Sequence, residues 1–285
     1  MTIHLFILQS LVSAALYSHV KQGGGPEHQR MSYTDLHAQV HFLSQLFRGE
    51  FIFPTEGLDH NLSRTVCGLE IDGVVKITRN PSGAIEYVEL SDSERSTGRE
   101  NFDFYCFLIW PFIEATWLGA VSLLMLTPPA NSAASKQSLD LKAVHNAAQL
   151  LGKTLYAQGD LSYFEAVSKE TLSKSFERVQ EEGVIVVTKT KGVSGSRVEL
   201  GSEWVPARDE KGEVVLEGSL LWSLCEEISR GRREGKNRRD GNTVRSRVLH
   251  LVQLVGDRLW QGKSVDPAVQ TTSRSKGKNA PIPRL

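Results

Sequence analysis

The sequence predicts a mainly α protein: a helical domain with two short β-hairpins in duplicated winged-helix-like units around a long central helix. Three observations carry this. Apolar residues recur at three- and four-residue intervals through most of the 285 residues, 40% of which are hydrophobic. Twice, such a helical run gives way to two alternating apolar runs. The two segments also align with each other at a single offset.

In chain order, "MTIHLFILQSLVSAALYSHV" places Ile3, Phe6, Ile7, Leu11, Ala14 and Ala15 at helical spacing. With no basic region ahead of it and His4 near its start, it reads as an amphipathic packing helix rather than a targeting signal. "KQGGGPEHQR" is a breaker-rich loop, and Leu36, Val40, Leu43 and Leu46 mark the second helix. Leu58, Leu62, Val66 and Leu69 mark a third, followed by "GVVKITRNPSGAIEYVEL", two strands joined at Asn80-Pro81-Ser82-Gly83.

Ser91 with Glu94 forms a capping box for a central helix over about 91–126, ended by Pro128-Pro129. At the usual rise it would extend roughly 50 Å. After the polar loop "ANSAASKQS", another helix begins near Leu141. Shifting the sequence by 110 positions then superposes Leu62 on Leu172, Gly73 on Gly183, Val74 on Val184, Thr78 on Thr188, and Val88-Glu89-Leu90 on Val198-Glu199-Leu200. Val66 falls on Phe176, Leu69 on Val179, Asp72 on Glu182 and Ile77 on Val187. One offset spanning a helix and a whole hairpin favours duplication, with repeat-like units at about 33–90 and 141–200. A further helix, a basic linker and a last helix complete a domain expected over 1–262, and a disordered basic tail is expected over 263–285.

The segment Phe104 to Leu126 has the length of a membrane span, but Glu114 at its centre would cost several kcal/mol in lipid. The flanks also lack a one-sided Lys/Arg excess. A core helix is therefore favoured over a membrane-inserted or interfacial one, and over a site using Glu114 as acid or base. Asp103, Trp110, Glu114 and Trp117 share one helical stripe able to meet a polar neighbour, and Pro111 should bend the helix or free a carbonyl.

Lys plus Arg and Asp plus Glu each number 33. The balance hides an asymmetry: from Ile228 onward there are 14 basic and 4 acidic residues, so an acidic body carries a basic end. Cys67, Cys106 and Cys225, odd in number and far apart, fit neither a disulfide framework nor a zinc site and are expected as buried thiols.

The chemical motifs sought are missing from the sequence. Gly23 to Gly25 lack a following Lys-Ser/Thr, so they do not form a phosphate loop. His37 and His41 lie one turn apart, a spacing that can hold a metal, but no carboxylate motif accompanies them and a partly buried pair is expected. No catalytic, cofactor-binding or metal-ligating residue is assigned, and no cofactor is implied.

"FYCFLIWPFIEATWLGAVSLLML" resembles the segment of glycerol-3-phosphate and dihydroxyacetone-phosphate acyltransferases in which a Phe-Tyr pair opens a long helix after the acyltransferase domain. A Pro follows one to two turns later; here the residues are Phe104, Tyr105 and Pro111. "EFIFPTEGLDHNLSRTVCGLEIDGVVKI" and "AAQLLGKTLYAQGDLSYFEAVSKETLSKSFERVQEEGVIVV" are similar to that family's helices leading into short strands. The resemblance covers roughly Thr2 to Val187. It implies glycerolipid synthesis and an intracellular, peripheral-membrane setting at the endoplasmic reticulum, mitochondrial outer membrane or peroxisome.

The family's chemistry depends on a His followed by four residues and an Asp, and none of the eight His residues here has Asp at that spacing. The expectation is thus a non-catalytic C-terminal accessory domain without its active-site domain. Its partners would be that catalytic domain or a second copy, with an anionic membrane surface for the basic segment Arg230 to Arg247. The alternative is a winged-helix-like nucleic-acid or protein-interaction module. Nucleic acid is disfavoured because acidic residues outnumber basic ones on the helix before each hairpin: Asp59, Glu70 and Asp72 against Arg64, and Glu170, Glu177, Glu181 and Glu182 against Lys169, Lys174 and Arg178.

Overall fold

A computed structural model describes residues 2–129, 138–189, 195–233 and 241–262. The chain is mainly helical with two small three-stranded sheets, as the apolar periodicity predicts. The expected tail over 263–285, most of the "ANSAASKQS" loop and the centre of the basic linker lie outside the described residues.

Helix α1 (Ile7–Val20) starts one turn later than its spacing suggests, because Thr2–Leu5 forms a 3-10 turn. It is also not amphipathic in the fold. Eleven of its 14 residues are buried, since its polar positions are small: Ser18 turns its hydroxyl back to the Ala15 carbonyl at 2.7 Å. A helix so uniformly apolar is covered on nearly every side, here by the helices Tyr33–Leu46, Leu58–Ile71, Glu100–Ser122 and Leu220–Arg230. Helix α2 (Pro26–Gln29) is a single turn after the Gly-rich loop.

The first unit comprises β1 (Met31–Ser32), α3 (Tyr33–Leu46), α4 (Leu58–Ile71), β2 (Val75–Arg79) and β3 (Ile85–Leu90), with strand order β1-β3-β2. The second comprises β4 (Leu139–Asp140), α7 (Leu141–Ala157), α8 (Lys169–Glu181), β5 (Ile185–Lys189) and β6 (Ser196–Leu200), with order β4-β6-β5. The expected two-stranded hairpins thus each gain a third strand two residues long. The two sheets share their register: Val75 faces Leu90 as Ile185 faces Leu200, and Met31 faces Val88 as Leu139 faces Val198.

The local chemistry also repeats. Ser32 and Asp140 end the short strands and cap α3 and α7, accepting from Asp35 N at 3.0 Å and Ala143 N at 2.7 Å. Gly73 and Gly183, at φ 70° and 72°, close α4 and α8 in the left-handed conformation. Val74 N and Val184 N then each reach back 2.9 Å to the Leu69 and Val179 carbonyls.

The single central helix expected over 91–126 is instead two helices, α5 (Asp92–Thr97) and α6 (Glu100–Ser122), followed by a 3-10 turn at Leu123–Leu126. Gly98 (φ 93°) and Arg99 (φ 66°) are both left-handed, which stops α5. Half of the capping box forms, Ser91 Oγ accepting from Glu94 N at 3.1 Å. The Glu94 carboxylate points onward to accept from Phe102 N (3.1 Å) and Asn101 Nδ2 (2.7 Å), capping the start of α6 across the break. Pro111 lies inside α6, which continues through it.

Helix α6 is packed by α1, α7, α8, α9 (Leu220–Arg230) and the 3-10 turn Phe164–Val167. By length and composition Glu100–Leu126 could cross a membrane, but 78% of its apolar window is buried inside the fold. Gly119 lets α8 approach closely, since a Cβ there would stand 2.9 Å from Ser175 Cβ. The last helix, α10 (Gly241–Trp260), packs on the Leu123–Leu126 turn, where Trp260 Nε1 donates to the Met125 carbonyl at 3.0 Å.

Candidate functional site

The polar stripe of α6 does meet polar neighbours. Glu114 is fully buried, and its carboxylate accepts three hydrogen bonds from backbone N–H groups: two from Ser162 N (3.0 and 2.9 Å) and one from Tyr163 N (2.9 Å). These donors lie in the turn after α7, so the carboxylate fastens the second unit to the central helix. Arg232 Nη2 stands 3.9 Å from Glu114 Oε1, its guanidinium is 3.7 Å from the Trp117 ring centre, and it donates to the Asp160 carbonyl at 2.5 Å. Arg247, from α10, pairs through two nitrogens with the Asp160 carboxylate, the Nε bond being 3.0 Å.

The stripe is completed by Trp110, whose Nε1 donates to the Gly231 carbonyl at 3.1 Å, and by Asp103, within 3.5 Å of Arg99. Arg233 lies over Phe107 and Trp110, at 5.0 and 5.5 Å from the ring centres.

Burial pushes the Glu114 carboxyl above its ordinary value, opposed first by Arg232, then by the Ser162 and Tyr163 N–H groups. The same burial pulls Arg232 below its ordinary value against the pull of Glu114 and Asp160. Two carboxylates and two guanidiniums thus share the interior, where each charge is held by a partner. Both Glu114 oxygens accept from backbone N–H groups and are closed to solvent. The geometry fastens the turn after α7 to α6.

The other candidates stay dispersed. His37 is half-buried and bonds Asp59 through Nε2 at 2.7 Å, with the exposed His41 stacked 6.5 Å away. Among the described residues no group of three or more His, Cys, Asp or Glu side chains is placed to hold a metal. Cys106 and Cys225 are buried and burial pushes both thiols up, whereas Cys67 is half-buried rather than enclosed. Gly23 and Gly24 take positive φ and themselves line none of the described cavities, although Lys21 and Gln22 of the same loop line one of about 470 Å³.

A polar partner for Glu114 is legible in its placement, but Asp160, Arg232 and Arg247 are not. Arg232 sits in "RGRREGKNRR", where nothing in the sequence separates it from its neighbours. Asp160 has one weak signal, its place directly after the helix-ending Gly159 (φ 78°).

Residues 1–188 match the family described as glycerol-3-phosphate acyltransferase C-terminal region. The chain belongs to that family. The match spans both three-stranded units up to β5 together with α6, and it contains Glu114 and Asp160; Arg232 and Arg247 lie beyond it. Its membership places the chain with the acyltransferases of glycerolipid synthesis. No curated protein matches the sequence.

Proposed function

We propose that the chain is a non-catalytic accessory region of a glycerol-3-phosphate, or dihydroxyacetone-phosphate, O-acyltransferase. One observation carries the reading: the family match falls on a sequence in which no His precedes an Asp at the five-residue step that the resemblance requires of the catalytic base. Glu114, the one carboxylate fully buried on the central helix, accepts from backbone donors on both oxygens, which supports the same reading. The region's work is then to hold or complete a separate catalytic domain beside an intracellular membrane. Acyl transfer from acyl-CoA to glycerol 3-phosphate and to dihydroxyacetone phosphate is measured for the chain alone, for a catalytic portion alone and for both together. No turnover by the chain alone, with a change in the catalytic portion's rate on addition, is expected; turnover by the chain alone would sink the reading.

For the membrane, the described arginines of Arg230 to Arg247 have partners within the chain, buried for Arg232 and Arg247 and at the surface for Arg230 and Arg245. Arg230 pairs with Glu227 at 3.3 Å, Arg245 lies 3.8 Å from Glu226, and Arg232 and Arg247 hold Asp160. Arg230 and Arg245 keep exposed guanidiniums that can still meet lipid headgroups, together with Lys236, Arg238 and Arg239 outside the described residues. Flotation with neutral and acidic vesicles tests it.

The winged-helix-like shape of the two units favours a second reading, a module that binds nucleic acid or protein. Of these, protein packing suits the acidic helices better: Arg178 on α8 is spent on Glu181 and Glu182, and Arg79 beside α4 on Glu70. A salt-dependent mobility shift on DNA at physiological ionic strength would favour nucleic acid instead.

A further inference from the structure

The sequence "ARDEKGEVV" folds back on itself because Asp209 and Gly212 supply turn chemistry. Asp209 Oδ1 accepts from Lys211 N (2.9 Å) and Glu213 N (2.8 Å), Gly212 takes φ 80°, and Val215 N reaches the Ala207 carbonyl at 2.8 Å. Together with α10 and the Leu123–Leu126 turn, this fixed turn lines a cavity of about 570 Å³, the size of a small-molecule site. Most of the lining lies after residue 188, where the family match stops, so kinship does not account for it.

The floor of the cavity is apolar. Met125 and Val252 are buried, Leu216 and Leu249 are half-buried, and Trp260 is pinned by its Nε1 to the Met125 carbonyl. Its polar groups have one character. Glu213 and Asp257 are exposed carboxylates, and neither forms an ion pair among the described residues. Thr127 Oγ1 is closed off without a hydrogen-bond partner among those residues. Arg208, the one Lys or Arg on the lining, is occupied: Nη1 donates to the Gly212 carbonyl at 2.5 Å and Nη2 to the Pro128 carbonyl. The cavity beside α1 and α4 differs, since it sets Arg64 against Glu56 and Asp72.

An apolar floor with two unpaired carboxylates and an unused hydroxyl is complementary to a molecule with an apolar body and a protonated amine. An ammonium group has three N–H donors and no acceptor, and each of these three side chains offers lone pairs. A fatty acid or phosphate ester would bring an anion to two anions, and a neutral chain would leave both unanswered. We propose that the cavity between α10, residues 207–215 and the Leu123–Leu126 turn binds an amphipathic amine, a single protonated amine on an aliphatic body, with Glu213 and Asp257 as its counter-ions. The proposal goes beyond the accessory reading and does not depend on it.

The test uses the full 285-residue chain at neutral pH and, as probes, dodecylamine, dodecanol and dodecanoate, each held below its micelle concentration. Titration calorimetry should show saturable binding of dodecylamine, about tenfold or more tighter than that of the other two. Glu213→Lys/Asp257→Lys changes exposed side chains, so its thermal midpoint should match that of the native chain; it should lose the amine about tenfold or more and bind dodecanoate instead. Glu165→Lys/Glu170→Lys makes the same change of net charge at exposed positions outside the described cavities, and should leave the order of the probes unchanged. Should the first lysine pair unfold the chain, Glu213→Gln/Asp257→Asn is the second variant, expected to abolish the preference for amine over alcohol. Dodecanoate or dodecanol bound by the native chain as tightly as the amine overturns the proposal, and so does no amine binding at all. Amine uptake that does not saturate, or that a folded cavity variant leaves unchanged, is partition onto exposed apolar side chains and overturns it too. A dimer in sedimentation that the cavity variant dissociates assigns the cavity to a second copy, with the same consequence.

Discussion

The two three-stranded units share register, caps and closing glycines, yet they are fixed to the rest of the molecule by different means. The first packs α3 and α4 on α1, and its matching positions remain open. His37, five residues after its cap Ser32, reaches out to Asp59. In the second, His145 stands five residues after its cap Asp140 and is turned inward, its ring 4.4 Å from Phe176. Likewise Ser44 of the first unit bonds only its own helix, at the His41 carbonyl, whereas its counterpart Gly152 lies against Leu118 and Val167. The same backbone therefore serves one unit with a half-open face and another pressed onto the central helix. The difference teaches that the repeated hydrogen bonds set shape, while attachment is decided by side chains the repeat does not share.

The largest expected effect removes the attachment of the second unit. Glu114→Ala leaves the Ser162 and Tyr163 N–H groups and Arg232 without their anion, and should cost about 3–5 kcal/mol in denaturant unfolding. A cost below about 1 kcal/mol would show that the fastening is dispensable. Next, Gly152→Val should cost about 1–3 kcal/mol by overpacking, because even a Cβ would stand 2.2 Å from Val167 Cγ1 and 2.5 Å from Leu118 Cδ2. Ser44→Val, at the matching position, should stay within about 0.5 kcal/mol of wild type. Equal costs would erase the contrast between the units.

Gly73→Ala and Gly183→Ala sharpen what is shared: each should lose about 1 kcal/mol, because both positions hold φ near 70° with open space around them. The smallest effect is with pH. Burial pulls His145 below its ordinary 6.5, with Glu177 opposing. A depressed His contributes stability above the unfolded value and loses it as pH falls through the folded one. The thermal midpoint should therefore decline as pH drops below 6.5, and His145→Leu should flatten part of that decline.

How much of this was legible depended on sequence distance. The hairpins and their repetition could be read because Gly73, Gly183 and the alternating runs are local signals repeated at one offset. The break in the central helix was half visible. Ser91 announced the start of α5, but Gly98 sat among polar residues that suit an exposed helix as well as its end, and Glu94 proved to cap the next helix rather than complete its own box. The third strands, Met31–Ser32 and Leu139–Asp140, are shorter than any alternation can mark. For α1 the helical spacing was present, but only the fold shows that Ser10 and Ser13 are small enough to face the interior. Glu114 signalled a polar neighbour by sitting in an apolar run, while the cation that came, Arg232, lies 118 positions later in a run of look-alikes.

The buried charges also bear on where this chain can be divided. Glu114 and Asp160 fall inside the stretch that matches the family, while Arg232 and Arg247 come from after residue 188, where the match stops. Cut at that point, the protein would keep two enclosed anions and lose both of their cations. The limit of detectable kinship is therefore not a seam in the fold: Arg232 and Arg247, from beyond it, are counter-ions to Glu114 and Asp160 within it, and inheritance of one pair without the other would be electrostatically unbalanced.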